Sequence, residues 1–543
     1  MSKRSAKGDT LPKKPRVEEP EPETQEVLPK VSKLEQKRQH LRERPHGELI
    51  IELNSTWTDL LKSETPNDQK TILCETLHQA LVGKYLEIAR NKRGTRYVQA
   101  VLKFGTPDQR SIIITELSGH FVEFSRTSFT RHVMARVFKH CSTDLLEIVS
   151  KELLPAVPAL IKHAEGALVV DDLFQSVKSI KNVVILTCLS KEIISICELE
   201  QLDPKVTTFT QILDKRAHKR DQLINQAIET ITSIFSKNMG SLFVVQNILY
   251  EILKNCSPLQ IRDSICPLLK DHFMAIIHTS IGSKITMIGL RHSTAKDRRT
   301  FLKNLKPNIP NLCIDQHAYS AVIVALATVD DTSALFKNIV KDILNNLRKI
   351  LYDKYGSMVV NFLIVGSESK RISQSIKEMI VPVEIGGELS SKKDQKARNS
   401  ELMTSSFENL IEFLGENFIE ILSSEHGQYV LIDGLNHLSN FVESSNDEIF
   451  SRKFNDFLSS IMSSFPLNDL SSDEISRPLK RLVLNAPENF NISFKNLIIN
   501  SGINFENSTV NFQFLFKTLF GKLKEAKKES DFEEFLNNQG FSL

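Results

Sequence analysis

The chain lacks each of the short motifs that mark common catalytic sites. It has no H-E-x-x-H pair for zinc, no glycine-rich loop ending in Gly-Lys-Ser/Thr and no G-x-S-x-G elbow. Gly282-Ser283-Lys284 comes nearest to a phosphate loop, but the upstream glycine is missing. His163, His218 and His317 stand alone and read as structural histidines. Glu18-Glu19 and Asp171-Asp172 are neighbours in sequence, so they diverge on a helix instead of facing one another as a catalytic pair. No catalytic residue, metal site or cofactor is therefore expected, and the chain does not read as an enzyme. Its seven cysteines include no C-x-x-C pair, which excludes a zinc ribbon and points to reduced thiols in an intracellular compartment. No apolar run approaches the roughly 20 residues needed to cross a membrane. Residues 1–16 are polar and basic with no apolar stretch behind them, so neither a secretory signal nor a membrane partner is expected.

Net charge is also nearly absent. Lys and Arg total 69 against 66 Asp and Glu, so any preference for a charged partner must come from where the charges lie. They lie unevenly. Residues 1–45 are rich in Pro, Glu and Lys and read as a disordered tail. Within it, Leu11-Pro12-Lys13-Lys14-Pro15-Arg16-Val17 is a compact basic cluster, and Lys13, Lys14 and Arg16 are the expected nuclear-import signal.

What the sequence does have is a recurring hexamer. Gly94-Thr95-Arg96-Tyr97-Val98-Gln99 returns as Thr130-Arg131-His132-Val133-Met134-Ala135 and as Gly166-Ala167-Leu168-Val169-Val170-Asp171. Later copies begin at Gly282, Ser320 and Gly356. Each is a small residue, two variable residues, a mostly apolar pair and one more variable residue. The steps from 94 to 130, 130 to 166 and 320 to 356 are each 36 residues, and 282 to 320 is 38. A constant offset of this size marks a stacked repeat array, in which no unit can bury its apolar face alone. A second marker keeps step: Thr106-Pro107, Ser142-Thr143, Ser257-Pro258, Ser293-Thr294 and Asp331-Thr332 each read as a helix N-cap. One unit is thus about three short helices, the small residue letting the middle helix start close against its neighbour.

The pattern divides the chain into the tail, residues 1–45; repeats over 46–382; an inserted polar loop over 383–400, marked by Gly386-Gly387 and the run Ser390-Ser391-Lys392-Lys393; and degenerate helical repeats over 401–543. Between Gly166 and Gly240 the spacing is 74, close to two periods, so a degenerate unit is expected around residues 202–213. Residues 522–534 alternate in charge and read as a solvent-facing terminal helix.

The hexamer on a three-helix unit of about 36 residues resembles the Pumilio (PUF) repeat. Further segments resemble the Puf-A type of Pumilio-like protein: Asp353-Lys354-Tyr355-Gly356, the stretch from Leu290 through Arg298, Val329-Asp330-Asp331-Thr332 and Ser391-Lys392-Lys393-Asp394, with Trp57, Leu60 and Leu61 at the entry. The likeness covers residues 57–436, and the rest weakly. It implies an all-α, right-handed α-solenoid of about eleven repeats in an L shape. It also implies a monomer in the nucleolus, pre-ribosomal RNA or other structured RNA (DNA also) as ligand, pre-ribosomal assembly proteins as partners and a role in large-subunit ribosome biogenesis.

PUF repeats that read RNA place two residues a helical turn apart on the base edge and stack the residue between them. Here those pairs are Thr95 and Gln99 around Arg96, Arg131 and Ala135 around His132, Ala167 and Asp171 around Leu168, Ser283 and Met287 around Lys284, and Ser357 and Asn361 around Met358. Only Thr95, Arg96 and Gln99 look usable for a base. What remains is positive charge: Arg93, Arg131, Arg136, Lys284 and Lys354, with His132, suit phosphates of any sequence. The expected function is RNA binding through the backbone. Two alternatives stay open: an armadillo- or HEAT-like protein scaffold, favoured by apolar variable positions at Leu168, Val322 and Met358, and a sequence-specific PUF-type translational regulator of mRNA.

Overall fold

A computed structural model describes residues 42–43, 45–190, 208–465, 470, 472–501 and 510–538. The expected import signal and most of the tail lie outside these residues. Helices account for nearly all the described structure; the strands among the described residues are one pair of two residues each. The chain divides into two compact units, between Gln109 and Arg110.

The hexamers fall where the spacing predicts, on or at the start of the middle helix of each unit. These motif helices are α1 (Gly94–Phe104), α2 (Arg131–His140), α3 (Ala164–Ser176), α4 (Phe243–Leu253), α5 (Ser280–His292), α6 (Tyr319–Thr328), α7 (Lys354–Val365) and α8 (Gln428–Ser445). Each apolar pair points inward: Tyr97 and Val98, Val169 and Val170, and Val359 and Val360 are almost fully buried. The small residue has a local cause. A Cβ on Gly94, Gly166, Gly282 or Gly356 would lie 1.9–2.7 Å from the carbonyl oxygen of Ile88, Leu160, Ile276 or Ile350, always six residues earlier. In the second copy Thr130 takes this place, and its hydroxyl donates to the Phe124 carbonyl, again six residues back (2.7 Å). Most of the expected caps have local causes too, although the Ser142 side chain makes no cap hydrogen bond. Ser257 and Gln260 form a reciprocal capping box, Asp331 accepts from the Ala334 N–H, and Thr294, not Ser293, accepts from the Asp297 N–H.

In the first unit, helix Gly47–Leu61 packs on helix Asn67–Leu81 and on α1, and the Tyr97 hydroxyl donates to the Ile50 carbonyl (2.7 Å). Gly83, with φ of 78°, ends the second of these helices. On that helix Leu77 and Leu81 are buried, while Ile72 is exposed.

In the second unit α2 to α8 form one unbroken row, each packed on the next. The row corrects the expected degenerate unit around residues 202–213. Of that stretch, residues 202–207 lie outside the described residues and the rest belong to Phe209–Lys215, a short capped helix. α3 packs directly on α4, so the 74-residue spacing is one repeat carrying an insertion. A further copy of the motif, Gly427-Gln428-Tyr429-Val430-Leu431, lies 71 residues after Gly356; the step resolves in the same way, because α7 packs directly on α8. The row continues past α8. Helix α9 (Asp473–Asn485) packs on α8 and α10 (Val510–Glu525) on α9. Phenylalanines fill the space behind, with Phe490 and Phe494 fully buried near Phe465 and Phe418. The expected solvent-facing helix over 522–534 is broken by Lys527 (φ 58°), and the following helix Ser530–Asn538 buries Phe532 and Leu536.

The segment 383–400 is a fixed structure, not a plain exposed loop. Gly386 and Gly387, both at positive φ, turn a hairpin that pairs Glu384 with Leu389 and Ile385 with Glu388. Arg398, 2 % exposed, donates to the Val329 carbonyl and to Asp330 and Ser391 (2.6–2.9 Å). Arg298, equally buried, donates to the carbonyls of Leu290 and Ser390. The polar run supplies partners for two guanidinium groups that cannot be buried without them.

Candidate nucleic-acid interface

The two positions of each hexamer that would meet a base edge are mostly buried. Thr95 is 1 % exposed, and its hydroxyl donates to the Lys92 carbonyl (3.1 Å). It is therefore withdrawn from the expected site. In the second unit these side chains join one motif helix to the next. Asp171 accepts the Val244 N–H (2.8 Å). Gln246, fully buried, accepts from the Thr279 hydroxyl, which fixes the register of the fourth copy so that Gln246 stands where Asp171 and Asn361 do. Ser283 donates to the His317 carbonyl (2.8 Å) and meets the Ser320 hydroxyl (2.7 Å). Asn361 donates to the Tyr429 carbonyl (3.2 Å) and accepts from Ser369. A polar group hydrogen-bonded inside the stack has no edge left to present.

What each helix does present is a stripe that begins at the variable residue between these two positions. On α1 the stripe is Arg96, Gln99 and Lys103, with the Arg96 guanidinium 5.9 Å from the centroid of the Trp57 ring; Arg93 is exposed just before it. On α2 it is His132, Arg136 and Lys139. Burial, then the Arg131 and Arg136 charges, hold the His132 pKa below its ordinary value, so at pH 7 the ring is neutral and contributes no charge. Arg131 is half-buried in an ion pair with Glu165 and is not a free cation. On α3 the stripe loses its charge, with Leu168 half-exposed and Asp172 below it.

On α4 the stripe is Phe243, Asn247, Tyr250 and Lys254, and on α5 it opens with Lys284. Lys254 and Lys284 flank the Tyr250 ring from two repeats, 4.9 and 6.0 Å from its centroid. Phe243 is 45 % exposed. Phe243, Tyr250 and Lys254 were missed in the sequence because the register around Gly240 was ambiguous. The i, i+4, i+7, i+11 continuation of the stripe is the signal that finds them. On α6 the stripe vanishes, since Ala321, Val322 and Ala325 are all fully buried. Lys354, exposed beside the Tyr355 ring at the start of α7, therefore stands apart from Lys284. Tyr355 and Tyr319 meet at 5.1 Å, and the Arg371 guanidinium, paired with Asp433, lies 3.9 Å from the Tyr429 centroid.

The expected site residues thus separate. Arg93, Arg96 and Gln99 belong to the first unit; Arg136 and Lys284 are accessible in the second; Thr95 and Arg131 are engaged internally. Burial pushes the thiols of Cys141, Cys256 and Cys266 up to about 11, so they stay protonated and unreactive at neutral pH. Among the described residues no group of three or more His, Cys, Asp or Glu is placed to hold a metal ion, and no helix is long and apolar enough to cross a membrane.

Comparison with known proteins follows the same geometry. Residues 84–118 match the Pumilio-family RNA binding repeat, 117–356 the NOP9-like PUF repeat domain and 352–495 the CPL (NUC119) domain. Human Pumilio homolog 3 is 21% identical over 431 residues, 79% of this chain and 65% of that protein. The Pumilio homology domain family member 6 of Schizosaccharomyces pombe is 24% identical over 416 residues, 74% of this chain and 62% of that one. The chain thus spans less than two thirds of the length of these curated relatives. The crystal structure of human Puf-A in complex with DNA superposes with a TM-score of 0.76 at 17% identity, covering 91% of this chain and 97% of that one, a likeness of fold. The repeats over residues 84–356 are PUF repeats, and the fold is that of a Pumilio-like helical solenoid.

Proposed function

We propose that the protein binds RNA by its phosphate backbone, largely without regard to sequence. One observation carries this: most of the positions that would discriminate bases are buried, several of them in bonds between repeats, while the accessible stripe beside them carries Arg136, Lys254 and Lys284 in the second unit and Arg96 in the first. Cations on a track neutralise phosphates of any sequence, and exposed rings such as Phe243 stack on any base. The match of residues 84–118 to an RNA-binding repeat and the fold shared with human Puf-A, which was crystallised with DNA, support a nucleic-acid ligand. The protein acts by binding, not catalysis. The scaffold alternative loses part of its motive, because Val322 is fully buried and offers no apolar surface. Retained Gln99 gives the sequence-specific alternative a single half-exposed reader.

The resemblance to the Puf-A type supports a finer proposal: a nucleolar factor of large-subunit ribosome biogenesis that meets pre-ribosomal RNA and assembly proteins. Lys13, Lys14 and Arg16 are proposed to direct nuclear entry; replacing all three with Ala should leave a tagged protein cytoplasmic. The binding mode is tested with several unrelated single-stranded RNAs at three salt concentrations. Similar affinities for all of them are expected, falling with a log-log slope near −0.7 per phosphate neutralised. A preference of about a hundredfold for one sequence, the size of one or two base contacts, lost in Arg93→Ala/Arg96→Ala, would overturn it.

A further inference from the structure

The row continues through α9 and α10, where accessible side chains are basic again. On α9 the exposed or half-exposed residues Arg477, Lys480 and Arg481 share one helical face, at i, i+3 and i+4. On α10 Phe514, Lys517 and Lys524 share another, at i, i+3 and i+10. The two helices pack directly on each other, and the Lys480 ammonium sits 4.7 Å from the centroid of the Phe514 ring. Phe514 is half exposed. A large apolar ring held open to solvent with an ammonium against it is what a base-stacking platform with a phosphate partner requires. No Asp or Glu occurs between Arg477 and Asn485 or between Val510 and Lys524, so the central part of each helix carries only positive charge. Glu474 and Glu525 lie at the ends, the latter paired with Lys522.

This face is separate from the first basic stretch. Between Lys284 and Lys480 the row passes through α6, with its variable positions buried, and through α8, where Asp433 is paired with Arg371. Helices pack about 9 Å apart, so four steps along the row put the two faces roughly 35–40 Å apart.

We propose that Lys480, Arg481, Lys517 and Lys524 with Phe514 form a second contact for single-stranded RNA, in which an unpaired base stacks on Phe514 and the four cations hold its flanking phosphates. Resting on the RNA-binding proposal above, this makes the protein a two-point binder. A strand of roughly a dozen or more stacked nucleotides, at about 3.4 Å each, reaches both faces and gains avidity from the link. An acidic protein segment is the competing occupant. The exposed ring favours a nucleobase, for which stacking is the natural contact.

The experiment uses the full chain, a single-stranded RNA long enough to span both faces, its duplex form and poly-glutamate as an acidic peptide probe. Thermal melting controls for folding, since all the substitutions are at solvent-accessible positions. Lys480→Ala/Arg481→Ala/Lys517→Ala should weaken single-strand binding at least tenfold and make the salt slope shallower by about 2, some 0.7 for each cation. Phe514→Ala should weaken the single strand about tenfold, the size of one base–aromatic stack, and the duplex hardly at all, with Phe514→Trp restoring binding. Photocrosslinking of thiouridine-labelled RNA should map to the Phe514 peptide. If the triple variant leaves affinity and slope unchanged while Lys254→Ala/Lys284→Ala still weakens binding, the second contact is wrong and the first stands. If neither set has an effect, the RNA-binding proposal itself fails. Loss of poly-glutamate binding with RNA binding intact would assign the face to an acidic protein and overturn the inference.

Discussion

The Asp171 carboxylate accepts the backbone N–H of Val244 at 2.8 Å, joining two motif helices across a gap of 73 residues. That bond makes the row continuous between α3 and α4, and it takes a potential base-reading side chain out of solution. Burial raises the pKa of Asp171, while the Val244 N–H and the Gln175 amide oppose the rise. A carboxyl with a raised folded pKa holds its proton longer in the folded chain than in the unfolded one. Its contribution to stability therefore falls as pH rises from the unfolded value of about 3.9 through the folded value. Asp171→Asn keeps an acceptor for Val244 without the charge. It should be as stable as the parent or more so at pH 7, and should lose part of the parent's gain on mild acidification, measured as Tm against pH.

Asp330 has the opposite sign. Burial disfavours its charge, but hydrogen bonds from Ser391, the Lys392 N–H and Arg398 outweigh this and hold its pKa below the usual carboxylate range. Its stabilisation is therefore complete above the unfolded pKa of about 3.9 and is lost as pH falls through the lower folded value. Asp330→Ala, which leaves the buried Arg398 without its carboxylate, should cost about 2–3 kcal/mol, the worth of hydrogen bonds to a charged group. Amide exchange should rise first over residues 383–394. Adding Arg398→Met should recover part of the loss, because the uncompensated charge is then gone.

Two glycines should respond oppositely to alanine. A Cβ at Gly356 would stand 2.1 Å from the Ile350 carbonyl oxygen and 2.9 Å from its carbonyl carbon, backbone atoms that cannot swing aside. Gly356→Ala should destabilise by about 2 kcal/mol or more through forced separation of the two helices. At Gly521, inside α10, a Cβ meets nothing within 4 Å. Gly521→Ala should stabilise by up to about 1 kcal/mol through helix propensity. Urea midpoints of the two variants and the parent decide the matter.

The first basic stretch should be read by salt, not sequence. Lys254→Ala and Lys284→Ala should each make the salt slope of RNA binding shallower by about 0.7. Thr95→Val, at a buried position, should leave relative affinities among unrelated RNAs unchanged. A change in sequence preference on Thr95→Val would show that this side chain reaches a base.

The repeat period, the motif helices and the small residue at the start of each hexamer were legible in the sequence because their causes are local. The clash that demands Gly94, Gly166, Gly282 or Gly356 is with a carbonyl six residues earlier, and Ser257 and Asp331 cap helices whose partner N–H groups lie three residues on. The apolar pairs repeat with the helix that buries them. The fate of the variable positions was not legible. Whether Asp171, Ser283 or Asn361 faces a base or the next repeat depends on where Val244, His317 and Tyr429 come to rest, and those lie 34–73 residues away. The same holds for the polar run 390–396, which reads as solvated until buried Arg298 and Arg398 are placed beside it. It holds too for Phe514, whose exposure is set by packing against α9 and not by its own helix. Sequence alone determined that this protein is a stack of three-helix units, since each unit's geometry is written within about 36 residues. Only the tertiary structure decided which polar residues the stack consumes and which cations it leaves facing solvent, because burial at each position is set by the neighbouring repeat.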